Sequence, residues 1–125
     1  VKEITNQDGV DIIYDPIGGK YFSKSLKVIK WGGKILVIGF ASGTIPNFPI
    51  NIALIKGISV LGVRAGEYFR KNPKLKQPAM NKLLNIANKG LITPVIHDTL
   101  KLKDASKALK RIENREVIGR LILKP

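Results

Sequence analysis

Glycines occur at the ends of several apolar runs in this sequence, where a backbone can approach a ligand closely. The stretch KILVIGFASGTIPNFPIN, residues 34–51, passes from an apolar run into a turn that contains Gly39 and Gly43. Because glycine has no Cβ, exposed N–H and C=O groups in such a turn could bind an amide or a phosphate. A tight turn also needs glycine for its own geometry, so ligand binding and turn geometry both remain open.

Three other residues near the ends of predicted elements could contact a ligand. Arg64 closes the run ISVLGVR and could bind a phosphate or carboxylate, or be a solvated surface cation. Asp15 closes GVDIIYD and could accept a hydrogen bond from a ribose or cap the following PIGG turn, and we favour the cap. Arg115, late in a helix predicted from Asp104, could bind an anion or complement the dipole of that helix.

The sequence lacks the residue sets of several kinds of catalytic and metal site. There is no cysteine and one histidine, which excludes thiol catalysis, cysteine-ligated zinc and a multi-histidine metal site. No Ser/His/Asp set, carboxylate pair, Walker loop or GxGxxG motif is present. We therefore predict no catalytic residue and no metal ligand in this chain, and we expect His97 to pack or to make a structural hydrogen bond.

The net charge of +13 is unevenly distributed along the chain. Between Pro16 and His97 the single acid Glu67 stands against thirteen Lys or Arg residues. Such a surface attracts polyanions, including phosphate-rich cofactors and nucleic acid. Lysines that only solvate the surface are the alternative, which we favour because the lysines are spread over several elements without interleaved aromatic residues.

Hydropathy and cysteine usage bear on the compartment. No run of eighteen or more apolar residues occurs, so we expect no membrane span. The first ten residues, VKEITNQDGV, have no apolar core of the kind that signal peptides carry. The absence of cysteine fits a reducing, cytoplasmic location.

Three apolar runs predict buried strands, at residues 9–15, 34–40 and 58–64. Each is apolar on both faces, as strands of a parallel sheet are. Between the first two, Phe22, Leu26 and Ile29 follow a helical period over residues 20–30, and the glycines of WGG are predicted to end that helix. NIALIKG predicts a short second helix. The alternation predicts parallel βαβ units.

Residues 73–125 predict two helices and two strands. A long helix is predicted from Pro73 to Lys89, with Gly90 as its C-terminal cap. LITPVIHDTL predicts an edge strand because of its proline. Asp104 is predicted to cap the N-terminus of a helix, and IGRLIL to form the last strand. No linker or repeat interrupts residues 1–125, which we assign to one domain.

The ordered motifs of this chain resemble those of a known family. GVDIIYDPIGG, SLKVIKWGGKILVIGFASGTIP, NIALIKGISVLGVRAGEY and LKDASKALKRIENREVIGRLILKP are together similar to the NADPH-dependent quinone oxidoreductases. These form the zinc-free, zeta-crystallin-like branch of the medium-chain dehydrogenase/reductase superfamily. The resemblance covers nearly the whole chain.

The resemblance implies an α/β fold: the second half of a Rossmann-type parallel sheet, with three βα units, plus a C-terminal helix–strand return. About residues 1–90 would belong to the dinucleotide-binding domain, and about 91–125 would return to the catalytic domain. The glycine-rich pyrophosphate loop and the residues that select the 2′-phosphate would precede Val1. The positions implied to contact NADPH are Ile38, Gly39, Phe40, Ala41, Gly62, Val63, Arg64 and Arg115, with Tyr14 bordering the adenosine side.

The resemblance also implies a reaction and a partner. Hydride would pass from the nicotinamide to a quinone or an enone, and two copies would dimerise through the strand Ile58–Arg64. By itself, the 125-residue chain is expected to be inactive. Two alternatives are a non-catalytic remnant, which dimerises or binds a nucleotide weakly, and a binder of RNA or another polyanion.

Overall fold

A computed structural model describes residues 1–125, which divide into two compact units, Val1–Lys71 and Asn72–Pro125. The first unit alternates strands with helices after a short 3-10 turn at Glu3–Thr5. Its elements are β1 (Val10–Asp15), α1 (Gly19–Val28), β2 (Ile29–Val37), α2 (Ile50–Lys56), β3 (Ser59–Gly62) and α3 (Ala65–Lys71).

The three strands of the first unit form one parallel sheet in the order β1-β2-β3. Tyr14 pairs with Leu36, and Leu36 pairs with Leu61, so the carboxyl ends of the strands lie at the same edge of the sheet. The predicted parallel βαβ arrangement is confirmed.

The core of this unit lies on one face of its sheet. Phe22 from α1 packs with Ile29 and Ile35 from β2, and Ile35 is fully buried. Helix α2 adds Ile52 to the same cluster. Alternate residues of a strand point to opposite faces.

The other face of the sheet is largely exposed within the unit: Ile12 is 59% exposed and Tyr14 66%. The prediction that the strands are buried on both faces is therefore wrong for this unit. Both crossover helices pack against the cluster around Ile35, α1 through Phe22 and α2 through Ile52. An apolar run alone does not tell which of its faces a helix covers.

Helix α1 ends differently from the prediction. Its last residue is Val28, and its cap residue, Ile29, is already extended with φ −71° and ψ 133°. Strand β2 therefore includes Trp31, Gly32 and Gly33 instead of starting after them. Gly32 has φ +76° inside this strand, and the pairing of β1 with β2 shifts register between Val10 and Ile12. The glycines allow an irregular strand and do not terminate the helix.

The predicted second helix is confirmed as α2. Gly57 caps its C-terminus in the left-handed conformation, with φ +59°. Strand β3 is shorter than predicted, and the short helix α3, which follows it after Arg64, was not predicted from the sequence. Helix α3 carries a glycine, Gly66, and has no buried residue, so it shows no apolar period.

The second unit contains α4 (Pro73–Asn88), β4 (Ile96–Lys101), α5 (Ala105–Glu113) and β5 (Arg120–Lys124). A 3-10 turn, Leu102–Asp104, precedes α5. Strands β4 and β5 pair in parallel, which makes each an edge strand, and Arg111 of α5 binds Asp98 of β4 at 2.8 Å. Ile118 N–H donates to Nδ1 of His97 at 3.4 Å, so His97 makes the expected structural hydrogen bond.

Two predicted helix ends in this unit can be compared with the structure. Gly90 follows α4 with φ +70° and donates its N–H to the Ala87 carbonyl, as predicted. Asp104 occupies the N-cap position of α5 but makes no capping hydrogen bond, and its carboxylate binds Lys107 at 2.9 Å instead. None of the helices combines the length and the apolar character that crossing a bilayer requires.

Candidate functional site

A cavity of about 320 Å³ lies at the carboxyl ends of β2 and β3, and we call it the strand-end cavity. Ligands of open parallel sheets bind at this edge, because the loops that follow neighbouring strands diverge there. Its lining is mostly apolar and contains one charged side chain, that of Arg64. The lining residues are Val37, Ile38, Gly39, Phe40, Gly62, Val63 and Arg64.

Asp15 holds the loop that forms one side of this cavity. Asp15 is 5% exposed, and its carboxylate accepts hydrogen bonds from the N–H groups of Ile17 at 2.9 Å and Gly18 at 2.8 Å. Its main-chain oxygen accepts from Ile38 N–H at 2.9 Å and from Gly39 N–H at 3.4 Å. The predicted turn-capping role of Asp15 is confirmed, and the same residue also fixes the start of the cavity loop.

The PIGG turn packs directly against the cavity loop. Ala41 N–H donates to the Pro16 carbonyl at 3.1 Å, and Ser42 N–H donates to the Ile17 carbonyl at 3.0 Å. Gly18 has φ +68°, and a Cβ on it would lie 2.8 Å from Cδ1 of Phe40. Glycine is therefore required there both by the backbone conformation and by the closeness of the Phe40 ring.

The cavity loop has backbone groups that can recognise a planar amide. The hydrogen bonds of the chain use neither the N–H of Phe40 nor the carbonyl oxygens of Ile38 and Gly39. An amide group needs one donor and one acceptor from its site, and this loop can provide both. A Cβ on Gly62 would contact nothing within 4 Å, so the glycine leaves space on the cavity side.

A second cavity of about 330 Å³ adjoins the first, and we call it the aromatic cavity. It shares the lining residues Gly62, Val63 and Arg64 and adds Ala65, Tyr68 and Phe69 from helix α3. The Tyr68 and Phe69 rings pack edge to face, with centroids 5.6 Å apart. The sequence did not identify Tyr68 or Phe69 as a site residue, because α3 was not predicted.

Arg64 is the charged side chain that lines both cavities. The acid nearest to it in sequence, Glu67, is bound by Arg70 through two hydrogen bonds of 2.6 and 2.8 Å. The hydrogen bond from Arg70 holds the pKa of Glu67 below its ordinary value. Because Glu67 is neutralised by Arg70, the site has a net positive charge from Arg64, which suits an anionic or electron-rich ligand.

The structure brings together six of the nine predicted site residues in the strand-end cavity: Ile38, Gly39, Phe40, Gly62, Val63 and Arg64. Ala41 directly follows Phe40 in the loop after β2 but does not line the strand-end cavity. Tyr14 lies on the exposed face of the sheet, 66% exposed, and lines neither cavity.

Arg115 belongs to the second unit and lies beyond α5 instead of late within it. Its φ is +59°, and its N–H donates to the Ile112 carbonyl at 3.0 Å. No group of three or more His, Cys, Asp or Glu side chains that could bind a metal ion occurs in the structure.

Residues 1–123 match the model of a protein family described as zinc-binding dehydrogenase. A quinone oxidoreductase-like protein 2 homolog of Nematostella vectensis is 34% identical over 124 residues, which are 98% of this chain and 34% of that protein. Quinone oxidoreductase-like protein 2 of Rattus norvegicus is 32% identical over 98% of this chain and 35% of its own length. The chain thus spans about one third of the length of these relatives.

Solved structures agree in fold. A quinone oxidoreductase of Pseudomonas syringae pv. Tomato DC3000 superposes with a TM-score of 0.83 at 26% identity, over 100% of this chain and 38% of that one. A mycobacterial protein solved in complex with NADPH superposes with a TM-score of 0.83 at 25% identity over the same shares. The fold is the Rossmann-like half of such enzymes. The chain therefore belongs to the zinc-binding dehydrogenase family, and its relatives there are quinone oxidoreductase-like proteins.

Proposed function

We propose that this chain is the nicotinamide-binding part of an NADPH-dependent oxidoreductase that transfers hydride to a quinone or a related electron-poor carbonyl. The observation that carries the proposal is the strand-end cavity, in which Ile38, Gly39 and Phe40 face Gly62 and Arg64. The names of the relatives, which are quinone oxidoreductase-like proteins, support the same substrate class.

The residues of the cavity fit a nicotinamide ring with its carboxamide. The Phe40 N–H and the carbonyl oxygens of Ile38 and Gly39 would hold the carboxamide, since they match its acceptor and its donors. The apolar walls and the glycine at position 62 leave room for a flat ring. Arg64, Ala41, Arg115 and Tyr14 remain proposed cofactor contacts.

Bound NADPH would supply the hydride, so no side chain has to provide it. The chain's own residues act by position. Asp15 fixes the cavity loop, the apolar lining excludes water from the ring, and Arg64 stabilises negative charge that develops on the acceptor as it is reduced. The strand-end cavity has no Asp, Glu, His, Lys, Cys or Tyr in its lining, and its one ionisable side chain, Arg64, stays protonated, so the chain provides no group there that gives up a proton.

Zinc does not fit this chain. The family description names zinc, but the chain has no cysteine and one histidine, and its acidic side chains form no three-residue group. A catalytic zinc site requires three protein ligands. No step of the proposed reaction is therefore assigned to zinc.

Calorimetric titration of the chain with NADPH and NADH tests cofactor binding, and NADPH oxidation by the complete enzyme with a panel of quinones and enones tests the reaction. We expect binding by the chain and quinone-dependent oxidation by the complete enzyme. An NADPH-saturated, folded enzyme that reduces none of the acceptors would refute the proposed reaction. Binding of NADH with equal affinity would correct the choice of NADPH.

A second candidate function is dimerisation without catalysis, for which the position of β3 provides an observation. Strand β3 lies at the edge of the three-stranded sheet, and Leu61 within it is 44% exposed. An unpaired apolar edge strand is a surface on which a second copy can pair. We propose a homodimer through Ile58–Arg64, and light scattering of the chain tests it. A monomer at all concentrations would refute the dimer, and turnover by the chain alone would refute a non-catalytic role.

Two further assignments complete the proposal. We place the protein in the cytoplasm, on the basis of its lack of cysteine. We also assign about residues 1–90 to the nucleotide-binding domain and about 91–125 to the segment that returns to the catalytic domain. Fractionation of cells tests the first assignment, and the structure of the complete enzyme tests the second.

A further inference from the structure

The first unit contains a third pocket, of about 310 Å³, at the amino-terminal ends of β1 and β2. The strand-end cavity lies at the opposite, carboxyl-terminal ends of the strands. We propose that the third pocket is a binding site for a nucleoside monophosphate, and we call it the lysine–tryptophan pocket. The lining residues that the proposal uses are Lys2, Asp8, Lys27, Lys30, Trp31 and Lys56.

The charge of this pocket is positive even after its acids are counted. Lys30 forms an ion pair with Asp11, and Asp8 adds a further attraction that, with Asp11, raises the pKa of Lys30. The four lysines of the pocket against Asp8, which lines it, and Asp11, which binds Lys30, leave a net charge of +2. Lys2, Lys27 and Lys56 form no ion pair with an acidic side chain. Three ammonium groups around one pocket attract a phosphate dianion.

The three ammonium groups are not equivalent. Nζ of Lys56 donates to the carbonyl oxygens of Leu26 at 2.7 Å and Ile29 at 3.2 Å, so it is fixed at the end of α1 and has one further N–H. Lys2 and Lys27 are exposed, and their side chains make no hydrogen bond within the chain. They are free to bind a ligand.

Local backbone geometry holds Lys2 near the pocket. Gln7 N–H donates to the Lys2 carbonyl at 2.8 Å, which closes the turn before β1. Gly9 has φ +94°, and a Cβ on it would lie 2.4 Å from the Val28 carbonyl oxygen. This close approach joins the N-terminal turn to the end of α1, where Lys27 lies.

Trp31 provides a platform for a ring. It is 77% exposed, although tryptophan is among the most strongly buried residues on average. Its indole packs against Gly57, because a Cβ on that glycine would lie 3.2 to 3.4 Å from three indole atoms. The ring therefore has a support on one side and remains accessible to a ligand. A nucleobase can stack on such an exposed aromatic side chain whatever its identity, because every base has a π-face.

The combination determines the class of ligand. Ammonium groups alone would bind inorganic phosphate, and an exposed indole alone would bind an uncharged ring. A nucleoside monophosphate has both a planar base and a phosphate dianion, so it can use both parts of the pocket. The sequence did not reveal this site, since Lys2, Trp31 and Lys56 are far apart in it and are brought together by the parallel sheet.

Trp31 is the single tryptophan of the chain, so its fluorescence reports directly on the pocket. The experiment titrates the full chain at low salt with AMP, adenosine and inorganic phosphate. We expect AMP to quench Trp31 and to bind at least about fivefold more tightly than either part alone. Equal binding of AMP and phosphate would refute the stacking role of Trp31, and the absence of AMP binding would refute the site.

Matched variants separate a defined site from general attraction to a basic protein. Replacing Lys2 and Lys27 by Gln is expected to weaken AMP binding by about fivefold or more, measured by calorimetry. The control replaces Lys20 and Lys24 by Gln, which removes the same charge beside another exposed ring, that of Tyr21. Equal weakening by both double variants would refute the site. These positions are outside the strand-end cavity, so NADPH binding there is tested independently.

Discussion

The main-chain oxygen of Asp15 accepts a hydrogen bond from the Ile38 N–H at 2.9 Å, and this bond joins the end of β1 to the loop of the strand-end cavity. The carboxylate of the same residue binds the N–H groups of Ile17 and Gly18. Asp15 thus orders two segments at once: the turn before α1 and the loop after β2. The position of the candidate site depends on a residue that does not line it.

Replacing Asp15 by Ala is expected to destabilise the chain by about 2–4 kcal/mol, because two N–H groups lose a buried, charged acceptor. Asp15→Asn keeps an oxygen at the same position and is expected to cost about half as much or less. Urea unfolding measures both values. The control is Asp11→Asn on the same strand, whose side chain is 74% exposed, so this change is expected to destabilise the chain far less than Asp15→Ala does. Equal costs for Asp15→Ala and Asp11→Asn would contradict the role of Asp15.

Replacing Gly62 by Val is expected to lower NADPH affinity at least about tenfold, since the new side chain enters the cavity where the ring would bind. The fold should tolerate the change, because a Cβ at this position meets no atom within 4 Å. The matched control is Gly66→Ala in α3, which also has open space around its Cβ and lines neither cavity. Calorimetry measures the affinities. Unchanged affinity in Gly62→Val would show that the cofactor binds elsewhere.

Lys56→Met should destabilise the first unit by about 1–3 kcal/mol. Methionine keeps most of the apolar stem, but the carbonyl oxygens of Leu26 and Ile29 lose their donor. Lys34→Met is the control: this lysine is exposed and makes no ion pair or side-chain hydrogen bond, so about 0.5 kcal/mol or less is expected. Thermal unfolding distinguishes the two variants, and similar melting temperatures would disprove the capping role of Lys56.

The pair of Asp98 and Arg111 makes the second unit sensitive to acid. The hydrogen bond from Arg111, assisted by the Thr99 N–H, holds the pKa of Asp98 below its ordinary value. The pair therefore contributes its full stabilisation of the folded state above the ordinary pKa of Asp98. This contribution is lost as the pH falls through the lowered pKa of Asp98.

Arg111→Gln is expected to raise the pKa of Asp98 towards its ordinary value, as measured by NMR titration of the carboxylate. The Thr99 N–H should keep a smaller downward shift in this variant. Arg70→Gln, which removes an arginine paired with Glu67, is the control and should leave the Asp98 titration unchanged. An unaltered Asp98 pKa in Arg111→Gln would rule out the pair as the cause.

The sequence carried the information for the strand ends because that information is local. GVDIIYD ends at Asp15, as β1 does, whereas β2 ends at Val37, three residues before the end of KILVIGF. The cap by Asp15 follows from a carboxylate two and three residues before free N–H groups. Since parallel strands expose their carboxyl ends at one edge, the convergence of Gly39 and Gly62 also followed from the topology.

The remaining features depend on contacts that no local pattern contains. The partial burial of Ile13 and the exposure of Ile12 are decided by which face of the sheet the helices cover. The end of α1 at Val28 is set by the pairing of Ile29 with Val10, which competes with continuation of the helix. Phe69 lines the aromatic cavity from α3, and Trp31 lines the lysine–tryptophan pocket from the irregular part of β2. Neither α3 nor the irregular part of β2 was predicted.

The strand order β1-β2-β3 equals the order of synthesis. When Leu36 leaves the ribosome, its partner Tyr14 has already been made, and Leu61 in turn finds Leu36 available. Once β2 has been made to pair with β1, neither β2 nor β3 has to wait for a segment from later in the chain. Vectorial folding from the N-terminus can therefore add one strand at a time, and each addition closes a loop of moderate length.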